Sequence, residues 1–357
     1  MEELSVSTSV GLAGFAIGVG FGALTNWSNF CTMGAVADAV SFGDYRRARA
    51  WALAIAIAIF GAQLLQAGGL IDLNQSFYMG ANFNWLGSIF GGLIFGFGMV
   101  LASGCPGRNL ARAGSGDLRA LMVLIIIGLF SYMTLRGIIG VPRVALEQAT
   151  SIDLQSLGLD NQGFAAIIAV LTGTLEVTIR PVLAAIVVLL LLWFCFRDSA
   201  FRTSPRLVLA GIGIGGLVTA GWWATGILGA DEFEPVQLES LTFAAPSGNS
   251  LQYLMTYTGA TISFGVAVVG GALAGAFLSA LIMRRFAVST FSGSADTVRH
   301  LVGAAFMGTG GVAALGCTIG QGISGMSTLA LGSAIVLTAI VTGGVIGLKY
   351  LEWALDI

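Results

Sequence analysis

The sequence carries little charge. Only 10% of its 357 residues are Asp, Glu, Lys or Arg, whereas soluble domains average about 25%. Hydrophobic residues make up 56% of the chain, and the mean hydropathy is +0.90. This scarcity of charge excludes an ordinary soluble domain and predicts an all-α polytopic membrane protein.

An excess of basic residues is also lacking, since the net charge is -2. No nucleic-acid partner is therefore expected. The first eight residues hold Glu2 and Glu3 where a cleavable signal peptide would hold positive charge, so we expect the first helix to be retained. No carboxylate within the apolar segments marks a proton relay, because Asp38 and Asp296 fall near predicted loops.

Apolar segments near the bilayer-spanning length of about 20 residues occur nine times. The predicted helices cover residues 10–24, 50–71, 84–103, 118–138, 181–196, 207–228, 257–283, 298–315 and 326–353. Residues 143–176 are more polar and are expected to form a hairpin outside the membrane, with 159–175 as its most apolar part.

Basic residues are distributed unevenly about these nine crossings. On one side lie 13 of the 16: Arg46, Arg47, Arg49, Arg108, Arg112, Arg119, Arg197, Arg202, Arg206, Arg284, Arg285, Arg299 and Lys349. The other side has Arg136, Arg143 and Arg180. The positive-inside rule makes the first side cytoplasmic, so the N-terminus is expected outside and the C-terminus inside.

A polar break separates two of the apolar segments. It runs from Ser103 to Asp117 and reads S-G-C-P-G-R-N-L-A-R-A-G-S-G-D. A Gly- and Pro-rich backbone does not continue a helix, and its free polar groups are tolerated at membrane depth only around protein or a water-filled cavity. The break is therefore predicted to line a path.

The pattern of this break returns at Leu315–Leu329. Gly96, Gly98, Gly104 and Cys105 match Gly308, Gly310, Gly316 and Cys317, each 212 positions later. An extra fifth helix makes the second half enter the membrane from the opposite face, which predicts an inverted repeat. The predicted units are residues 1–140, residues 141–204 with the linking helix, and residues 205–357, and the two re-entrant Gly-Cys loops are expected to meet near the midplane.

The four cysteines fall into two kinds. Cys195 lies in the apolar run L-L-L-L-W-F-C-F and is predicted to be a packed hydrophobe without a role. Cys31, Cys105 and Cys317 lie in polar, glycine-containing breaks beside helix ends. A packed thiol is the ordinary interpretation of one such residue, but three in breaks, two of them related by the repeat, favour a function.

A soft-sulfur anion suits these thiols better than a metal does. A metal site would need more ligands, and the one histidine, His300, falls in a predicted loop, so neither a metal nor another cofactor is expected. Thiols are weak, soft donors and acceptors, and helices expected to begin by Asp117 and near residues 324–327 would add N–H donors. The predicted path residues are Cys31, Cys105, Cys317, Gly104, Gly316, Arg108, Asn109, Thr318 and Gln321, with Thr32 as a further polar liner.

Two questions stay open on the residues alone. Arg108 and Arg112 either attract an anion or only set the topology. A membrane thiol-redox or sulfurtransferase enzyme using Cys105 and Cys317 is the alternative to transport, because Arg108 close to Cys105 would favour its thiolate. No base stands near either cysteine in the sequence, and Cys317 has no cation close by. Transport, and not an enzyme, is predicted.

Four motifs resemble the YeeE/YedE family of thiosulfate transporters. They are F-C-T-M-G-A-V-A-D at Phe30–Asp38, G-D-Y-R-R-A-R-A-W at Gly43–Trp51, S-G-C-P-G-R-N-L-A-R-A-G-S-G at Ser103–Gly116 and L-G-C-T-I-G-Q-G-I-S-G-M-S-T-L-A at Leu315–Ala330. The resemblance covers nearly the whole chain. It implies an hourglass-shaped, multi-pass protein of the bacterial inner membrane that takes up thiosulfate for sulfur assimilation.

In that family three motif cysteines contact the ion in turn, and they correspond here to Cys31, Cys105 and Cys317. The resemblance also implies a TusA-like sulfur carrier protein as a partner on the cytoplasmic side. Some relatives are linked to selenium metabolism, so another sulfur or selenium compound is the alternative substrate.

Overall fold

The computed structural model describes residues 5–231 and 235–354, which form a bundle of helices. The helices are α1 (Val6–Ser28), α2 (Thr32–Ser41), α3 (Arg46–Ala67), α4 (Gly92–Leu101), α5 (Pro106–Gly114), α6 (Leu118–Arg136), α7 (Gly140–Thr150), α8 (Phe164–Thr172), α9 (Glu176–Phe196), α10 (Ser199–Arg202), α11 (Pro205–Trp223), α12 (Ala244–Met255), α13 (Phe264–Ile282), α14 (Ser294–Ala313) and α15 (Leu331–Ala354). A further helix covers residues 318–327, mostly wound as a π-helix. Two short strands, β1 (Asn82–Phe83) and β2 (Ile152–Asp153), pair antiparallel.

Within the described ranges, eight helical segments are long and apolar enough to cross a membrane, which confirms an all-α polytopic membrane protein. The predicted eighth crossing is α14, which is not among those eight. Its first turns carry Asp296, Arg299 and His300, and the helix packs between α4 and α6. His300 therefore lies in a helix and not in the predicted loop. It is buried, and its Nδ1 is 2.8 Å from the Asp296 carbonyl oxygen.

Several predicted boundaries were wrong. The first and fifth helices begin earlier than predicted, at Val6 and Glu176, because polar residues in the first turn did not interrupt the helix. The helix predicted over 257–283 begins at Phe264, and α12 precedes it without having been predicted. In the polar hairpin, the apolar stretch forms α8, whose nine residues are too few to span a bilayer.

Glycines allow α1 and α13 to pack with their backbones in contact. A Cβ atom at Gly18 would meet the backbone of Val268, and one at Gly22 would meet the backbone of Ala272. From the other helix, Gly275 faces the backbone of Val19 in the same way. Small residues at a spacing of four are the usual means by which membrane helices approach closely, and here they hold two parallel helices together.

We expect Gly22→Ala to destabilise the protein by about 1–3 kcal/mol, because the added methyl group overpacks a rigid backbone contact. Thermal unfolding of the detergent-purified variant measures this. Gly216→Ala is the matched control, since nothing lies within 4 Å of a Cβ atom there, and it should be neutral or slightly stabilising through helix propensity. Equal unfolding temperatures for the two variants would contradict the packing argument.

Corresponding elements recur 212 positions apart in the structure. Helix α2 begins at Thr32 and α12 at Ala244, while α6 begins at Leu118 and α15 at Leu331, one residue beyond the shift. Helices α3 and α11 pack side by side and run in the same direction, and so do α1 and α13. Helix α11 therefore runs opposite to its counterpart α1, as expected for inverted halves. The division into three sequence units stays a prediction.

We call the side of the bundle where α1 begins the N-terminal face and the side where α1 ends the arginine face. Helices α3, α6, α11 and α14 begin at the arginine face, and that face holds the cluster of 13 basic residues described above. Loops holding Tyr78 and β1 lie at the other side, the N-terminal face. The polar breaks lie between these two faces.

Candidate functional site

The two polar breaks have the same backbone conformation. Ser103 and Leu315 each have φ of 56°, and the glycines that follow, Gly104 and Gly316, have φ of 151° and 159°. A side chain is rarely compatible with such angles. A left-handed conformation is also uncommon for a residue as bulky as leucine, so the surrounding structure must fix it. The breaks are therefore turns with a defined backbone conformation and not frayed helix ends.

Each break is held by an amide side chain four residues after its cysteine. The Asn109 Nδ2 donates to the Gly104 carbonyl at 2.8 Å, and the Gln321 Nε2 donates to the Ala314 carbonyl at 2.8 Å. The Gln321 Oε1 in turn accepts from Ser333 at 2.7 Å. Both residues were predicted to line a path, and the structure places them as supports of the loops that form it.

A short helix follows each break, and the two helices run in opposite directions. Helix α5 begins after Cys105 and leads to the arginine face, whereas the 318–327 helix begins after Cys317 and leads to the N-terminal face. At 1.5 Å per residue their lengths are about 13 and 15 Å, together close to the bilayer core of about 30 Å. Both N-termini therefore lie in the interior of the bundle. The second helix was predicted to begin near residues 324–327 and in fact begins at Thr318.

Cysteine is the N-cap residue of three short helices. Cys31 caps α2, and its Sγ accepts the Gly34 N–H at 3.4 Å. Cys105 occupies the N-cap position of α5 without a side-chain hydrogen bond to the helix. The Cys317 Sγ, like that of Cys31, accepts a helix N–H, that of Gly320 at 3.4 Å. An N-cap side chain satisfies a free helix donor by accepting, which leaves the thiol proton available to a ligand.

The three cap thiols form one buried series. Cys105 is close enough to Cys317 on one side and to Cys31 on the other for their charges to interact, and the hydroxyls of Thr318 and Thr32 lie beside its sulfur. All three cysteines are buried and free of disulfides. The series runs from Cys317, nearest the N-terminal face, through Cys105 to Cys31, nearest the arginine face.

Polar atoms without partners surround this series. The hydroxyls of Thr32, Thr318 and Tyr78 and the Asn109 Oδ1 are buried and have no hydrogen-bond partner among the described residues. Each such atom costs about 1–3 kcal/mol of stability, and buried polar groups are normally satisfied. Four such atoms close together therefore leave unused hydrogen-bonding capacity around the thiols.

Tyr78 is a site residue that the sequence did not reveal. It lies in the loop between α3 and α4, and its ring and hydroxyl reach Gly325 and Gly320. Burial, together with Cys317 and Glu239, raises the pKa of Tyr78 well above its ordinary value. The phenol is therefore a neutral donor at physiological pH, but no motif surrounds it in the sequence.

We expect Thr318→Val to stabilise the resting protein and to impair its function. Removing a buried hydroxyl without a partner should raise the free energy of unfolding by about 1–2 kcal/mol, whereas loss of a donor to a charged ligand should lower uptake about tenfold. Thr134→Val is the control, because its Oγ1 donates to the Phe130 carbonyl at 2.7 Å and its loss should destabilise slightly. A Thr318 variant that is less stable would contradict the ligand interpretation.

The two arginines of the first break have different surroundings. The Arg108 Nη2 donates to the Asn29 Oδ1 at 2.9 Å, and its charge interacts with Cys31 and Cys105. Arg112 instead forms an ion pair with Asp117 at 2.6 Å and donates to the Ser103 carbonyl at 3.1 Å. Arg108 is thus positioned at the thiols, and Arg112 supports the break.

Asp117 anchors that support at the arginine face. Burial acts to raise its pKa, but Arg119 and Arg112 outweigh this effect and hold the pKa of the carboxyl below its usual value. The carboxylate also accepts the Arg119 N–H at 3.1 Å, which caps α6. It is therefore charged throughout the physiological range and keeps Arg112 engaged.

A cavity of about 320 Å³ lies at the N-terminal face and reaches Leu315 and Gly316 of the second break. We call it the N-face cavity, and its polar lining residues are Arg136, Gln237, Glu239, Thr242, Asn249 and Ser263. The Thr242 Oγ1 is 3.9 Å from the Sγ of Cys317, which is itself fully buried. The cavity therefore ends beside the first thiol of the series, with Thr242 and Gly316 at its inner end.

Glu239 is a lining residue of this cavity that the sequence analysis does not single out. Burial raises the pKa of this carboxyl to about 7, although the N–H of Gly265 opposes the shift. The residue lies between α11 and α12, in a segment that contains no apolar run. No motif in the sequence indicates that this segment folds back against the bundle.

Neither Cys195 nor a metal-binding cluster adds to this site. Cys195 is fully buried, and its thiol donates to the Arg49 carbonyl at 3.2 Å, as befits a packed residue. In the described parts of the chain, no group of three or more His, Cys, Asp or Glu side chains is arranged to hold a metal ion.

The chain is similar to two proteins named Thiosulfate transporter TsuA. That of Escherichia coli (strain K12) is 28% identical over 357 residues, covering 95% of this chain and 91% of the relative. That of Spirochaeta thermophila (strain ATCC 700085 / DSM 6578 / Z-1203) is 25% identical over 324 residues, covering 90% and 92%. The model of the family described as Sulphur transport matches residues 27–346, which include all three cap cysteines. The chain therefore belongs to the sulphur transport family, as the sequence motifs predicted, and is a transport protein and not an enzyme.

Proposed function

We propose that this protein takes up thiosulfate through the buried series Cys317, Cys105 and Cys31. The observation that carries the proposal is the convergence of cysteine-capped helix N-termini on hydroxyls that have no partner. Helix N-termini attract anions through their free N–H groups and dipoles. Thiols are soft, weak donors, which suits the terminal sulfur of thiosulfate. The names of the two relatives support the same ion.

The ion enters the N-face cavity and meets Cys317 beside Thr242. It then passes to Cys105, where Thr318 and Thr32 offer their hydroxyls. No covalent bond forms or breaks in this scheme, because each thiol keeps its proton and only shares it with the ion in a hydrogen bond.

Cys31 and Arg108 receive the ion last. The guanidinium beside Cys31 draws the dianion toward the arginine face. Individual contacts to thiols are weak, and weakness favours passage, since a conducting site must attract the ion and also release it.

The orientation in the membrane follows from the charge distribution. We infer that the arginine face is cytoplasmic, which places the N-terminus in the periplasm and the C-terminus in the cytoplasm of a bacterial inner membrane. A TusA-like sulfur carrier is the proposed partner at that face, where exposed arginines such as Arg284 and Arg285 are available to it.

The test is uptake of ³⁵S-thiosulfate by proteoliposomes and by cells that lack other thiosulfate importers. We expect saturable uptake that unlabelled thiosulfate abolishes and that sulfate and selenite reduce little. Strong inhibition by selenite would favour a selenium compound as the substrate instead. Absence of thiosulfate uptake by a folded, reconstituted protein would overturn the proposal.

A further inference from the structure

Glu239 is fixed in the wall of the N-face cavity by its own backbone. The Thr225 Oγ1 donates to the Glu239 carbonyl at 2.6 Å and accepts the Glu239 N–H at 3.3 Å. Thr225 lies in the π-helical turn that continues α11. The residue is thereby held in the wall of the cavity that ends at Thr242 and Gly316, next to Cys317.

Within residues 5–231 and 235–354, few charges face this carboxyl. Arg136 of α6 lines the same cavity, and among the described residues it forms no ion pair with Glu239. Tyr78 is near enough to interact with both Glu239 and Cys317.

The other elements around the cavity present neutral groups. Helix α12 contributes Asn249, α14 contributes Gly311 and Val312, and the first turn of α13 brings the Gly265 N–H toward the carboxyl. Burial with so little compensation raises the pKa of Glu239 to about 7.

We propose that Glu239 controls the admission of the dianion to Cys317, which it permits when its carboxyl is protonated and opposes when it is ionised. A carboxylate in a small cavity repels a doubly charged anion, and low-dielectric walls strengthen the repulsion. The neutral acid removes that charge, adds an O–H donor, and leaves the Gly265 N–H to the ion. This inference rests on the proposed function, because it takes thiosulfate as the ion.

The experiment measures ³⁵S-thiosulfate uptake by proteoliposomes buffered at the same pH inside and outside, so that no proton gradient contributes. Thiosulfate remains a dianion across this range. Wild-type uptake should fall about tenfold between pH 6 and pH 8, following the neutral fraction of a carboxyl with a pKa of about 7. Glu239→Gln should show a flat profile at the wild-type pH 6 rate.

Two further variants make the result decisive. Glu239→Asp keeps a titratable group and should remain pH-dependent, whereas Asp160→Asn removes an exposed acid near the same face and should follow the wild type. A Glu239→Gln profile that falls like the wild type, or uptake lost at every pH, would overturn the inference. Wild-type uptake that does not depend on pH would also overturn the inference about Glu239, but it would leave the proposed thiosulfate transport intact. If the wild type took up no thiosulfate at any pH, the proposed function itself would be overturned.

Discussion

Replacing Cys105 by alanine should lower the initial rate of thiosulfate uptake about tenfold to a hundredfold. Its thiol lies between the other two cap thiols and beside two hydroxyls, so an ion on this path has no way around it. A hydrogen bond to a charged group contributes about 1.5–3 kcal/mol, and each 1.4 kcal/mol corresponds to a factor of ten. Radiolabelled uptake, normalised to folded protein in the membrane, measures the loss.

Cys195→Ala is the matched control, since that thiol is equally buried but lies far from the series and donates to a backbone carbonyl. It should retain nearly full uptake. Cys105→Ser keeps a capping group, and serine is among the preferred N-cap residues, so the fold should persist with partial uptake. Near-normal uptake by Cys105→Ala would eliminate the thiol series as the path.

Arg108→Gln should lower uptake about tenfold, mainly through a raised KM. The guanidinium is a cation within electrostatic range of both Cys31 and Cys105, where it faces the dianion in a partly buried setting. At an effective dielectric constant of about 20, two unit charges 4 Å apart attract by about 4 kcal/mol, of which part is offset by desolvation. The concentration dependence of uptake separates KM from the maximal rate.

Two variants show whether charge or shape matters at this position. Arg108→Lys keeps the charge and should recover part of the affinity. Arg285→Gln removes an exposed arginine at the same face and should leave KM unchanged. An unaltered KM in Arg108→Gln would assign this residue to membrane topology alone. Arg112→Gln is expected to reduce the amount of folded protein, because Arg112 holds Asp117 and Ser103.

The architecture was largely predictable from the sequence because long apolar runs and the positions of glycine determine it. The matched Gly104 and Gly316 identified the two breaks before any geometry was known, and their φ angles explain why glycine stands at both positions. Helix ends were predicted less well. Polar residues at the beginning of α9 and within α12 resemble loops in a hydropathy profile, although packing keeps them helical.

Only those residues of the candidate site that lie within sequence motifs could be predicted. Three cysteines stood out in the sequence, but their shared position as N-caps depends on where each helix begins. Tyr78 and Glu239 were missed because loops without a motif bring them to the path. Asn109 and Gln321 were predicted as polar liners of the path, and the sequence does not show that their side-chain amides also donate to backbone carbonyls of the breaks.

The meeting of two short helices end to end, with their N-termini inward, has an electrical consequence. A dianion held between Cys105 and Cys317 has crossed roughly half of the membrane. Moving one charge through 100 mV involves about 2.3 kcal/mol, so inward passage of two negative charges against a negative interior requires about 4.6 kcal/mol. At that voltage, uncoupled uptake would stop once the outside concentration was less than about two-thousandfold above the inside concentration. Continued uptake on this path therefore requires either rapid consumption of the ion inside or positive charge travelling with it.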